Sequence, residues 1–123
     1  MINWYFGWAS ILCAFITGAI LGLFFYDDNW LGGYSSFRRR ILRLGHVALV
    51  GLGMINILFG MVAHTNSTSV RVTVASLAFI VGGATMPGIC FLTAWRTGFR
   101  RLFFIPVAAL IVAGVLTLRI GIP

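Results

Sequence analysis

"FRRRILRLGHVALVGLGMINILFG", residues 37–60, sets three consecutive arginines and a fourth, Arg43, at the head of a long apolar run. From Leu44 to Gly60 there is no Asp, Glu, Lys or Arg. An α-helix rises about 1.5 Å per residue, so about 20 apolar residues cross the hydrocarbon core of a bilayer. Continued to Ala63, this run predicts a transmembrane helix over Ile41–Ala63.

The same criterion, applied outward in both directions, predicts three more spans: Trp4–Tyr26, Thr73–Trp95 and Leu102–Ile120. None of the four contains Asp, Glu or Lys. The interruptions "DDNWLGGYSSFRRR", "HTNSTSVRV" and "RTGFRR" carry most of the chain's charges and turn formers. Strands of a membrane β-barrel alternate apolar and polar residues, and these runs do not. In lipid every backbone polar group needs an internal partner, which leaves helices. The expected fold is an all-α integral membrane four-helix bundle of antiparallel up-down topology. It forms a single domain over residues 1–123, with both termini on one side.

Composition excludes the soluble alternatives. Hydrophobic residues make up 60% of the 123 positions and charged residues 9%, with a mean hydropathy of +1.02. A water-soluble domain carries about 25% charged residues, and so few charges leave its surface uncovered. The first span has no basic residue ahead of it and is longer than the apolar core of a cleavable signal, so it is expected to stay in the mature protein.

The net charge of +7 comes from nine arginines against two aspartates. In a soluble protein such a balance suggests nucleic acid; here the distribution gives another account. With four spans, one side of the membrane holds Arg38, Arg39, Arg40, Arg43, Arg96, Arg100 and Arg101, and the other holds Arg71 and Arg119. By the positive-inside rule the first side is cytoplasmic and both termini lie outside. The seven arginines are also expected to grip anionic headgroups, at about 1 kcal/mol for each contact near the surface. Short basic loops pinned at a membrane do not suit nucleic acid. Trp4, Tyr5 and Trp8 mark the outer boundary, and Tyr26, Trp30, Tyr34 and Trp95 the inner one, the level that amphipathic rings favour.

Packing signals lie inside the spans. Ser10, Ala14, Gly18 and Gly22 recur every four residues in the first, a small-residue face that lets a neighbouring helix come close. The second carries Gly45, Gly51, Gly53 and Gly60, the third "GGATMPG" over 82–88, and the fourth Ala113 and Gly114. Matching depths at the helical rise puts Asn56 level with Gly7 and Ser10 of the first span, and with Ala113 and Gly114 of the fourth. A buried amide needs partners, so Asn56 is expected to hold the second span to the first. Pro87 cannot donate to the carbonyl of Gly83 and predicts a kink.

Chemistry is thinner. His46 is near the level of Cys90, with Met86 one turn further out; histidine, cysteine and methionine together suit copper, Cu(I) above all. His64 is eighteen residues from His46, five turns on one face and about 27 Å away. That spacing suits a haem b near each membrane surface, the Gly18/Gly22 face admitting a flat ring, though each haem needs a second axial ligand. Against these stand plainer readings: His46 bonded to a carbonyl or phosphate, and His64 at the outer helix end. Cys13 and Cys90 differ in depth by about 12 Å and should not form a disulfide. Asn66-Ser67-Thr68 is a glycosylation sequon.

Hydrolytic, nucleotide-binding and paired-ligand motifs are missing. The intramembrane carboxylate that proton-coupled four-helix exporters depend on is missing too. The leading expectation is a small non-enzymatic subunit or scaffold that binds other membrane subunits or further copies of itself. The alternatives are a haem- or copper-binding redox or metal-handling protein using His46, and a small permease or channel along the Pro87 kink.

Overall fold

The computed structural model describes residues 2–66 and 68–121. It is all helical, with α1 at Ile2–Phe25, α2 at Phe37–Ala63, α3 at Val70–Trp95 and α4 at Phe104–Ile120. All four are long and apolar enough to cross a membrane, the last together with the 3₁₀ turns over Thr97–Phe103 that lead into it. This is the build of a multi-pass membrane protein.

Three helix starts, those of α1, α2 and α3, lie earlier than hydropathy places them, and α2 shows why. The Ser36 side chain accepts from the Arg39 N–H at 3.3 Å, an N-cap that starts α2 at Phe37. Capping satisfies an orphan donor of the first turn and is indifferent to hydropathy. Arg38, Arg39 and Arg40 are thereby drawn from the loop onto the helix. Similarly, α3 begins at Val70 and takes Arg71 into its first turn.

The α1–α2 connection doubles back through a short 3₁₀ turn, Trp30–Gly32. Leu31, Gly32 and Gly33 all have positive φ, at 54°, 88° and 95°. Glycine takes such angles without a Cβ penalty; Leu31 takes one beside the buried cluster of Ile41, Leu42, Cys90 and Ala94. Trp30 stacks on Phe24 with centroids 5.1 Å apart and leans on Phe25 at 5.6 Å, which ties the turn to the end of α1.

Neighbours in sequence are neighbours in space. The main interfaces are α1 with α2, α2 with α3, and α3 with α4, and α1 touches α3 lightly. Pairings such as Gly18 with His46 and Gly60 with Trp4 run antiparallel. A Cβ at Gly7 would collide with the backbone of Gly53 and with Ile57, so α1 and α2 cross there at a distance only glycine permits. A Cβ at Gly82 would stand 2.5 Å from Leu110, and α4 leans on α3 at that notch. A second apolar cluster (Phe59, Ala63, Val72, Ala75, Phe79 and Ala113) joins α2, α3 and α4 near the end where α4 stops. The result is a three-helix core with α4 laid along α3, and α4 has no comparable interface with α1. Large apolar side chains such as Phe15, Leu23, Ile111 and Leu118 point away from the protein. In hydrocarbon such faces cost nothing, because lipid tails are as apolar as leucine.

Candidate functional site

Apart from Thr93 of α3, whose buried hydroxyl has no hydrogen-bond partner among the described residues, the polar side chains inside the helical core fall into three groups. The first is an amide clasp near the start of α1. The Asn3 Nδ2 donates to Asn56 Oδ1 at 2.9 Å and to the Ser76 carbonyl at 3.1 Å, while its Oδ1 accepts from the Ser76 hydroxyl. Asn56 Nδ2 in turn donates to the Leu52 carbonyl at 2.9 Å and the Phe79 carbonyl at 3.2 Å. Asn3, Asn56 and Ser76 are all buried. Both amide groups have their donors occupied, so the clasp is a closed knot joining α1, α2 and α3.

Asn56 therefore reaches α1, but through Asn3 rather than at the level of Gly7 and Ser10. The Ser10 hydroxyl has its own acceptor on α2, the Leu49 carbonyl at 2.8 Å. Asn3 and Ser76 escaped the sequence reading. A first span starting at Trp4 leaves Asn3 in the water, whereas the helix starts at Ile2 and carries Asn3 inward.

The second group surrounds His46. Its Nε2 lies 2.9 Å from the Ala14 carbonyl of α1, and a Cβ on Gly18 would stand 2.7 Å from the same nitrogen. The imidazole fills the notch that Gly18 leaves, while the space at Gly22 is open. The Ala14 carbonyl also accepts from the Thr17 hydroxyl at 3.2 Å. Any metal at His46 must take Nδ1 or displace the bond to Ala14. Cys90 packs on the other side of α2, its Cβ 2.8 Å from where a Cβ of Gly45 would be. Successive helical residues are turned by about 100°, so Gly45 receives Cys90 while His46 faces α1. Met86 is half-buried one turn before Cys90. Among the described residues no three His, Cys, Asp or Glu side chains come together to hold a metal ion. His64 is exposed beyond the end of α2, where it edges a shallow groove of ≈ 400 Å³ with Trp4, Tyr5, Gly60 and Met61.

The third group is the arginine-rich end. Arg39, expected at the headgroups, is 2% exposed. Its guanidinium donates to the Phe25 carbonyl at 3.0 Å and to those of Asp27 and Asp28 at 3.4 Å, with its carbon 4.4 Å from the Phe25 ring centroid. Arg38 donates to the Ala94 and Trp95 carbonyls at 2.5 and 3.1 Å. Arg43 donates twice to the Tyr34 carbonyl at 3.3 Å and lies over the Tyr34 ring. Helix C-termini leave carbonyls unpaired and carry partial negative charge. Arg38 and Arg39 thus close the ends of α3 and α1. Arg40, Arg96, Arg100 and Arg101 remain exposed.

Of the small-residue face on α1, Ser10, Ala14 and Gly18 meet α2, whereas Gly22 has nothing within 4 Å of a Cβ. The sequon Asn66-Ser67-Thr68 includes Ser67, which lies outside the described residues. Comparison with protein-family models, with curated proteins and with solved structures finds no match.

Proposed function

We propose that the chain is a small non-enzymatic subunit or scaffold of a larger membrane assembly. In this reading both termini lie outside and the arginine-rich end faces the cytoplasm. The observation that carries it is the one-sided attachment of α4. That helix packs on α3 and leaves Phe104, Ile111, Val115 and Leu118 facing outward, and a Cβ at Gly114 would have open space around it. Small residues on an outward helix face allow close approach of another transmembrane helix. The internal polar groups fit the same reading: the clasp amides and Nε2 of His46 are spent on holding the core together.

Purification in mild detergent with crosslinking through cysteines placed on α4 tests this. Crosslinks from the Ile111–Leu118 face to a second copy or to another membrane protein are expected. A chain that stays monomeric and uncrosslinked when isolated directly from its native membrane refutes the proposal.

A further inference from the structure

At the end of the molecule opposite the arginine cluster, the two remaining arginines border one cavity. Arg71 in the first turn of α3 and Arg119 in the last turn of α4 line one cavity of ≈ 300 Å³, together with Thr65, Thr68, Ser69 and Ile120. By distribution these two were merely the minority charges of a topology signal. The fold gathers them into one place.

We propose that this cavity binds a phosphate-type oxyanion, either a lipid phosphate headgroup or free inorganic phosphate. Two like charges lining one cavity repel, and no acidic side chain lies at this end to offset them. Asp27 and Asp28 are the chain's only acidic side chains, and both lie in the α1–α2 connection at the far end. An external anion supplies the missing charge. The Arg119 side chain belongs to the last turn of α4, where it also complements the negative helix end.

The floor of the cavity has the matching donors. Ser69 is the N-cap residue of α3 and lines the cavity, and its side chain makes no capping bond. Behind it lie the first-turn N–H groups of a 26-residue helix, which have no intrahelical acceptor and present the positive end of the helix dipole. The Thr65 hydroxyl is spent on the Val62 carbonyl at 3.0 Å and borders the site without donating to it. Two guanidinium forks, a serine hydroxyl and a helix N-terminus together suit a tetrahedral oxyanion better than a planar carboxylate, because each fork takes two oxygens. Ile120 borders the cavity and Leu118 beside it is exposed, apolar surface against which acyl chains would lie if the phosphate is that of a lipid.

The full-length protein in phosphate-free maltoside, stripped of lipid, is titrated with inorganic phosphate and followed by ³¹P line broadening. In a second arm it is mixed with phosphatidic acid or with diacylglycerol, and retained lipid is read by native mass spectrometry. R71Q/R119Q is compared with R100Q/R101Q, which removes the same charge at the other end. In at least one arm, affinity is expected to fall on the order of tenfold or more in R71Q/R119Q and to hold in R100Q/R101Q. Loss in the phosphate arm assigns a free anion; loss confined to phosphatidic acid assigns a headgroup. Should R71Q/R119Q fail to fold, R71K/R119K keeps the charge and removes the forks, and weakened binding by this variant supports the site. Wild-type protein that binds neither ligand overturns the proposal, as does equal loss in both glutamine variants, which shows only net-charge attraction.

Discussion

Asn3 and Asn56 share an amide hydrogen bond of 2.9 Å between the first turn of α1 and the middle of α2. Ser76 closes the triangle from α3. Such bonds within membrane bundles contribute about 0.6 kcal/mol on average and up to about 1.7. Asn56 bonds to α1 and α3 as well as to its own helix, so its loss should be felt more than that of Ser76. Asn56→Leu is expected to lower the melting temperature in detergent by more than Ser76→Ala. In a double-mutant cycle, Asn3→Ala and Asn56→Ala should be less than additive, because each single change already opens the shared bond. Strict additivity would show that the clasp does not couple α1 to α2.

Gly18 and Gly22 look equivalent in the four-residue repeat of α1, and the structure separates them. A methyl group at Gly18 enters the space of His46 Nε2, 2.7 Å away, while one at Gly22 meets nothing. Gly18→Ala is therefore expected to push the imidazole off the Ala14 carbonyl and destabilise the protein by about 1–3 kcal/mol, the usual range for overpacking. Gly22→Ala should be neutral or slightly stabilising, since alanine is the better helix former. Thermal melting of both variants checks this, with the His46 ring resonances reporting whether the imidazole has moved. Equal melting temperatures would contradict the arrangement.

These two cases show what a sequence of this kind reveals and where it stops. Span number and antiparallel order follow from hydropathy and spacing, because lipid imposes a length and a polarity on every helix; the four-residue repeat of α1 does not tell Gly18, which meets His46, from Gly22, which meets nothing. Depth is equally legible: Cys90 does lie across from the Gly45–His46 level. Azimuth is not, since one residue of rotation about α2 decides whether Cys90 meets Gly45 or His46. Asn3 was hidden by a boundary placed at Trp4, two residues after the helix starts at Ile2. The carbonyl partners of Arg38 and Arg39 leave no trace in sequence, because every helix end offers the same backbone groups.

Arg39 and Arg40 are adjacent and chemically identical, yet their substitution should differ sharply. Arg39 is buried against Phe25 and holds three carbonyls beyond the end of α1; Arg40 is exposed. Arg39→Ala is expected to cost about 1.5–3 kcal/mol, the range for hydrogen bonds to charged groups. Arg39→Lys should recover only part of that, because an ammonium cannot span three acceptors with a planar fork. Arg40→Ala should leave stability unchanged. Chemical denaturation in mixed micelles measures all three, and an Arg39→Ala variant as stable as Arg40→Ala would remove the helix-closing role.

The same division changes how threading should be tested. Removing Arg38, Arg39, Arg40 and Arg43 together deletes topology charges, but it also opens the ends of α1 and α3 and frees the Tyr34 carbonyl. A disturbed orientation would then have two causes. Arg40, Arg96, Arg100 and Arg101 are exposed and have no such second duty in the contacts described above. Neutralising these four leaves Arg38, Arg39 and Arg43 against Arg71 and Arg119, so the imbalance of seven to two falls to three to two. If charge sets the orientation and the proposed threading holds, reporter fusions at the amino terminus should read a uniform outside population in the unmodified protein and a mixed one in the fourfold variant, with melting temperature unchanged. Replacing Arg71 alone should strengthen the bias and leave the reporter uniform. A uniform outside signal from the fourfold variant would transfer the cause of orientation from the exposed arginines to the hydrophobic spans themselves.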